Sequence, residues 1–577
     1  MMDTSPPRFG LPIFGPPDKP TSFAGAPGLH LNREHVHDRK RRVGLPRIPS
    51  TGGTPRTDAP HGPGDVTSPS PSPNSEGDRF EARAPGARFE AYFTPEDPAA
   101  KAELRLIENV IVGARADQQT YAAGENPHQI HYAVYNLRSS KVINKLIEAH
   151  QAGVEVRVLI EADQISPERE WNTVDEQFEA AGLKVIRSDR DIPQEERERA
   201  HLVGIDSNHL MHLKSRIFRS LDPTTGQPVE VVLSGSMNPG DGASRNDENL
   251  NLIRDPGLVS LYEKKFQDVR RHKRTENVWD GERGINVLFT PAKSGPRPLE
   301  KLFEWIDAED EFIGLSVFDL KDLESPKDKK KLTEKLIEAK ARGVEVLVIT
   351  DRKKSDGRDL AGNRIEMYGH FASNSWVDED LERAGIPVHE FINTTGPYNA
   401  VHSKAAVFGL NDMKVITGAG NWTRSGMGSG RKRARNEESF LFIESGRVDD
   451  GRTGRRYLSN MLGLLRKYDG QDPEHGPAQG TIEKLQALES WPKVDVSARS
   501  LVGDREGNYY LVGDHPALQP TDGAPGLPID SQGPGLQLPF GSLLEYRIED
   551  ASGQVLESNR RLLARPEDDA TVLPEAP

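Results

Sequence analysis

One repeated offset constrains this chain more than any other feature. The segment KLIEAHQAGVEVRVL starts at Lys145, and KLIEAKARGVEVLVI starts 190 residues later at Lys335. MHLKSRIF starts at Met211, and VHSKAAVF starts at Val401 with the same offset. So His212 pairs with His402, Lys214 with Lys404, and Gly153 with Gly343. A helix, a turn, a strand and a polar pair sharing one spacing require an internal duplication. FEAYFTP near the start of the first half is echoed by INVLFTP, ending at Pro291, in the second.

Each half alternates strand-length apolar runs with helical segments. Gly153 stands where the first helix must stop, before the strand VEVRVLIEA. The alternation predicts an α/β protein: two homologous βα-sandwich lobes, each with a mostly parallel sheet, packed with pseudo-twofold symmetry. The expected lobes are 87–280 and 281–470. A linker with a short helix follows at 471–494, then a small β-rich module at 495–577, with Ala551-Ser552-Gly553 as a hairpin turn. Fraying is expected from about Pro566. Residues 1–86 are rich in Pro, Gly and Ser and bury too little apolar surface to offset their ordering entropy, which predicts disorder. The basic run Arg39-Lys40-Arg41-Arg42 within them is read as a solvated cluster, with an anionic-surface tether as the functional alternative.

The chain has no cysteine, which excludes disulfides and thiolate-bound metal. A formal charge of −14 argues against a protein that coats nucleic acid along its whole surface, yet allows a basic cleft. Apolar runs are too short to span a bilayer, and no secretory signal is evident. The expectation is a cytoplasmic protein, with non-classical export as an alternative.

Behind MHLK come Ser236 and Asn238 in SGSMN, then Asn246 and Glu248 in NDENL. Behind VHSK come Asn421 in TGAGN, then Asn436 and Glu438 in NEESF. His and Lys at i and i+2 share one face of a strand. Packing the halves about a pseudo-twofold would therefore gather two His, two Lys and two Asn in one cleft. Such a cleft suits a phosphodiester. Lys214, Lys404, Asn238 and Asn421 can hold its oxygens. A neutral imidazole can attack phosphorus to give a phosphohistidine. The second imidazole can protonate the leaving alkoxide and later take a proton from water or an alcohol. Opposite protonation states for the two histidines require surroundings that push their pKa values apart. Glu248 and Glu438 are candidates to orient the histidines. The scheme needs no metal and no cofactor.

The H-x-K pair, the G-S-x-N-like segment, N-x-E, F-T-P and A-x-x-x-G-V-x-V together resemble the phospholipase D superfamily over about residues 88–470. The resemblance implies two lobes sharing one active site, metal-independent chemistry, and His212 as nucleophile with His402 as general acid/base. Both motifs lie in one chain, so a monomer can form the site. The chain departs from the family in three places. The family's Asp, five residues after Lys, is Arg219 in one half and Gly409 in the other, with Asp222 and Asp412 three positions further on. Ala419 replaces the motif Ser, leaving Ser236 as the hydroxyl. Fifteen positions separate Asn421 from Asn436, against eight between Asn238 and Asn246. The insertion carries Arg431, Lys432, Arg433 and Arg435, expected to meet an anionic substrate.

The expected activity is hydrolysis or transfer of the phosphatidyl group of a glycerophospholipid, with peripheral membrane contact. A nuclease acting on DNA or RNA is the alternative, and a catalytically weak binding or scaffold protein is a third. Trp422 is read as a core residue. His128 and His131, spaced like metal ligands on a helix, are discounted for want of a carboxylate partner.

Overall fold

The computed structural model describes residues 88–573, except 118, 120, 122–124, 169–170, 207–209, 241, 368–369, 372–376, 397–398, 430–435, 472–477, 487–492, 514–515, 520–523, 540–542 and 566–568. The N-terminal tail with its basic run, and the insertion carrying Arg431, Lys432, Arg433 and Arg435, lie outside the described residues.

In the first lobe, β1 (Phe89–Thr94), β2 (Gln129–Val134), β3 (Glu155–Glu161), β4 (Val185–Ile186), β5 (Leu202–Ile205), β6 (Lys214–Leu221), β7 (Pro228–Gly235) and β8 (Glu248–Ile253) form one sheet. Its order is β1-β8-β7-β6-β2-β3-β5-β4. The second lobe contains β9 (Ile285–Thr290), β10 (Phe312–Val317), β11 (Glu345–Asp351), the small ribbon β12 (Glu366–Met367) with β13 (His370–Phe371), then β14 (Val388–Phe391), β15 (Lys404–Phe408), β16 (Lys414–Gly418) and β17 (Glu438–Glu444). Its main sheet runs β14-β11-β10-β15-β16-β17-β9, the first order reversed with β4 left out. The duplication seen in sequence is therefore a duplication of topology.

The sheets are mixed, which corrects the expectation of mostly parallel strands. β2, β3, β5 and β4 are parallel neighbours, but β6, β7, β8 and β1 are joined antiparallel. The helix Ser140–Gln151 carries the chain from β2 back to a parallel β3, and Gly153 at φ 88° turns it into the strand. Between β6 and β7 there is only a short turn, and a tight turn can only reverse direction.

One hydrophobic core joins the inner faces of the lobes. Phe93, Ile217 and Val232 from the first sheet and Phe289, Val407 and Leu441 from the second belong to it. So do Tyr262 and Phe266 of the helix Pro256–Arg270, and Leu458, Met461 and Leu465 of the helix Arg452–Lys467. Within this core runs a polar seam between the lobes. The Tyr457 hydroxyl donates to Asn251 Oδ1 at 2.7 Å, and Asn249 Nδ2 donates to Thr417 Oγ1 at 2.7 Å. Buried hydrogen bonds of this kind fix one docking geometry, where apolar contact alone would tolerate several. Trp422 is buried in the outer core of the second lobe, as expected.

After the lobes, β18 (Lys493–Val496) pairs with β21 (Leu536–Pro539). A five-stranded antiparallel sheet combines β19 (Asn508–Val512), β20 (Leu527–Asp530), β22 (Leu543–Glu549), β23 (Val555–Arg565) and β24 (Asp569–Leu573). The expected turn closes β22 onto β23, with Gly553 N–H donating to Asp550 O at 3.0 Å. Fraying beyond Pro566 is not borne out for Asp569–Leu573, which pairs with β23 from Arg565↔Asp569 to Arg561↔Leu573. The long β23 offers an edge that a further strand satisfies.

Candidate active site

Strands β6 and β15 begin at Lys214 and Lys404, so each histidine sits two residues ahead of the ladder. Its main chain is held by the opposite lobe. The His212 N–H donates to Glu437 O at 3.0 Å, and the His402 N–H donates to Asp247 O at 2.9 Å. The side chains cross in the same way. His212 Nδ1 lies 2.8 Å from Glu438, and His402 Nδ1 lies 2.8 Å from Glu248. All four residues are buried. Each carboxylate is steadied by the Asn two residues before it: Asn246 donates to Glu248 at 3.0 Å and Asn436 to Glu438 at 3.2 Å. Glu248 and Glu438 are thus placed to orient the histidines, each serving the other half's ring.

Lys214 Nζ lies 3.1 Å from His212 Nε2, and Lys404 Nζ donates to His402 O at 2.9 Å. Asn238 and Asn421 are buried, and among the described residues neither end of the Asn238 amide nor the Asn421 carbonyl oxygen has a hydrogen-bond partner. Buried amides are nearly always satisfied, so these groups have capacity for a ligand. Ser236 differs from expectation. Its hydroxyl accepts from Asn249 N–H at 2.9 Å, which spends it on the strand backbone.

Several positioning residues escaped the sequence reading. Tyr135 meets the His212 ring edge-on with centroids 5.1 Å apart, and Phe318 does the same to His402 at 4.7 Å. The signal was present: V-Y-N-L-R at 134–138 and V-F-D-L-K at 317–321 are one motif. Glu161 accepts from Met211 N–H at 2.6 Å and Asp351 from Val401 N–H at 3.0 Å, again 190 residues apart. The F-T-P echo is explained as well. Thr94 Oγ1 donates to Asn246 O at 2.7 Å, and Thr290 Oγ1 donates to Asn436 O at 2.9 Å.

The two substitutions at the family's Asp position fall far from the histidines. Arg219 is seven residues after His212, roughly 23 Å along a strand; there it bonds Glu230 at 2.9 Å and Glu263 at 3.1 Å. Gly409 adopts φ 72° in the turn after β15, a conformation an Asp would enter only with strain. The discounted histidines do have carboxylate partners. His131 is on strand β2 and contacts Glu263 at 2.9 Å, while His128 contacts Asp117 at 3.2 Å, so the two point to different neighbours.

Burial pushes the His212 imidazole down to about 4 and that of His402 down to about 3, against the raising pull of Glu438 and Glu248 respectively. Burial also lowers Lys214 to about 8 and Lys404 to about 7. Both rings are therefore neutral near pH 7, and the surroundings do not split the histidines into opposite states. The reason is symmetry: each ring meets one carboxylate, two lysines and no solvent. An anion bound among these four groups favours the protonated form of each.

No curated protein matches this chain. Among solved structures, a phosphatidylserine synthase from Haemophilus influenzae Rd KW20 is 13% identical over 69% of this chain and 92% of its own, with a TM-score of 0.44. A polyphosphate kinase from Porphyromonas gingivalis is 14% identical over 69% of this chain with a TM-score of 0.42, and the match spans 52% of that enzyme's length. A yeast tyrosyl-DNA phosphodiesterase is 12% identical over 56% of this chain and 84% of its own, with a TM-score of 0.34. The family described as cardiolipin synthase, PLD-like domain, matches residues 122–270 and 310–450, once in each lobe and together just over half the sequence. With that double match laid over two lobes of one topology, the chain belongs to the phospholipase D-like family.

Proposed function

We propose that the chain is a metal-independent phosphodiesterase that hydrolyses glycerophospholipids, or transfers their phosphatidyl group, through a phosphohistidine. The crossed His–Glu pairs, with two buried lysines, carry the chemical part of this reading. Glu438 takes up His212 Nδ1, which makes Nε2, 3.1 Å from Lys214 Nζ, the nitrogen that carries the lone pair. Nε2 attacks phosphorus, and the P–O bond to the leaving group breaks. The leaving oxygen takes a proton from His402, which the bound phosphate has favoured in its charged form. Water or an alcohol then gives a proton back to His402 as its oxygen displaces His212 from phosphorus. Lys214, Lys404, Asn238 and Asn421 hold the phosphoryl oxygens.

Two observations favour a lipid. The matching family is described by a cardiolipin synthase. Trp171 is 48% exposed with the Arg138 guanidinium 4.9 Å over its ring, and Arg138 is three residues in sequence from Tyr135. An exposed Trp beside a cation suits the headgroup layer of a membrane.

Purified protein is to be assayed in EDTA at 25 °C against vesicles of phosphatidylglycerol or phosphatidylcholine and against single- and double-stranded DNA. Lipid turnover in chelator with intact DNA is expected. Cleavage of DNA alone would move the substrate class, and no turnover of any substrate would favour a binding protein. The pH profile is a second check. His212 is neutral above about pH 4, and the lysines lose charge between about pH 7 and 8. Binding of the anionic substrate should weaken as the lysines lose charge, so kcat/KM should fall through about pH 7 to 8. A profile still rising at pH 9 contradicts the lysine clamp.

A further inference from the structure

The second lobe is not a plain copy of the first. V-F-D-L-K ends at Lys321, and the next repeated segment starts at Lys335, fourteen positions on; in the first lobe Lys145 follows Arg138 by seven. Asn436 likewise follows Asn421 by fifteen positions, against eight from Asn238 to Asn246. Each loop is seven residues longer than its counterpart, and the described parts of both line one cavity of about 340 Å³. Glu324 and Lys329 come from the first loop, Arg424 and Met427 from the second. Arg297 and Leu299, at the start of the helix Pro298–Ala308, join them in its wall.

The cavity is tied to the catalytic segments without using their groups. Arg424 is three residues from Asn421, and the Lys321 N–H donates to Trp422 O at 3.0 Å, which links the two loops. Thr290 Oγ1, which donates to Asn436 O, also donates to Gly426 O at 3.0 Å. These loops belong to the lobe whose Phe318 packs against His402. Three cations, Arg297, Lys329 and Arg424, meet one carboxylate in the wall, and that carboxylate, Glu324, is also approached by Lys331 at 3.4 Å. Neither Arg297 nor Arg424 makes a salt bridge among the described residues.

We infer that this cavity binds the phosphate monoester of a small alcohol, as a subsite for a second anionic group in addition to the phosphodiester that reacts. The inference rests on the phosphodiesterase reading, in which His402 protonates the departing alcohol and deprotonates the incoming one. A phosphate monoester carries about two negative charges near neutral pH, which matches three cations less one carboxylate. Two guanidinium forks offer paired donors to its oxygens. Leu299 and Met427 give apolar surface for a short carbon body, and the volume is at the small end for ligand pockets. The phosphate arrives either on the lipid headgroup or on a free alcohol acceptor, and the chemistry that recognises it is the same. The cavity holds this group and adds no covalent step.

The test is calorimetric titration of full-length protein with glycerol phosphate, with glycerol as the control. Saturable heat is expected with the phosphate ester and none with glycerol. Arg424→Gln and Arg297→Gln should each weaken binding by about tenfold or more. Turnover then separates the two sources. If the phosphate belongs to the lipid, Arg424→Gln should raise KM for vesicles of phosphatidylglycerol phosphate about tenfold more than KM for phosphatidylglycerol. If it belongs to the acceptor, the same variant should lose transfer to glycerol phosphate relative to transfer to glycerol. Arginine-dependent heat in a protein that turns over no lipid would sink the phosphodiesterase reading and leave the binding site standing. Absence of heat, or heat that both variants keep at wild-type strength, overturns the site.

Discussion

His212→Ala is expected to lower kcat by ~10⁵-fold, because the nucleophile and the bond it forms are both lost. His402→Ala should cost ~10³-fold, the usual worth of a positioned acid or base. The two variants should also differ in kind. With a phosphodiester whose leaving group needs no proton, His402→Ala can still form the phosphohistidine but is slow to release it. Labelled phosphate should therefore accumulate on His402→Ala and be absent from His212→Ala. Labelling that persists in His212→Ala would reverse the two roles, and full turnover by either variant would sink the paired mechanism. The crossed geometry adds a discriminating control. Glu438→Gln should affect phosphoenzyme formation, because Glu438 supports His212 from the other lobe. Glu248→Gln should act with His402.

Asp97→Ala should be the most destabilising single change outside the site. Arg456 is 2% exposed, and its guanidinium donates to Asp97 at 3.0 Å and to Ala91 O at 2.8 Å. Removing one partner of a buried pair costs about 3–5 kcal/mol, since the remaining charge stays desolvated. The pair joins the first lobe's β1 region to the helix Arg452–Lys467. That helix also supplies Lys467, whose Nζ lies 2.6 Å from Asp247, next to Glu248. The melting temperature of Asp97→Ala should fall by several degrees, with kcat falling alongside. The double variant Asp97→Ala/Arg456→Met should recover much of the loss, because it no longer buries a charge. A double variant as unstable as Asp97→Ala alone would show that packing, and not the ion pair, dominates there.

Much of the fold was legible because duplication leaves a record that needs no structure. The 190-residue spacing of Gly153 and Gly343 located a helix end and a strand start in both lobes. The mixed strand direction was less legible. Apolar runs identify strands, but only the absence of a crossover between β6, β7 and β8 sets their direction. Ser236 misled for a related reason: a motif hydroxyl can satisfy either a ligand or its own sheet, and the backbone of Asn249 takes this one. The aromatic shields Tyr135 and Phe318 were readable as a repeated V-[YF]-x-L motif, yet an aromatic at a strand end is equally at home in a core.

By itself the sequence determined the duplication, the paired His, Lys, Asn and Glu, and the chemistry such a set can perform. Those follow from residue identity and spacing along one chain. It could not decide which glutamate serves which histidine, because two equivalent copies offer two equivalent assignments. The tertiary structure decided it. Each histidine lies ahead of its own sheet's ladder, so its N–H and its ring are both satisfied by the facing lobe, His212 by Glu437 and Glu438, His402 by Asp247 and Glu248. The site is completed only across the interface, where each lobe supplies the carboxylate that the other's histidine requires.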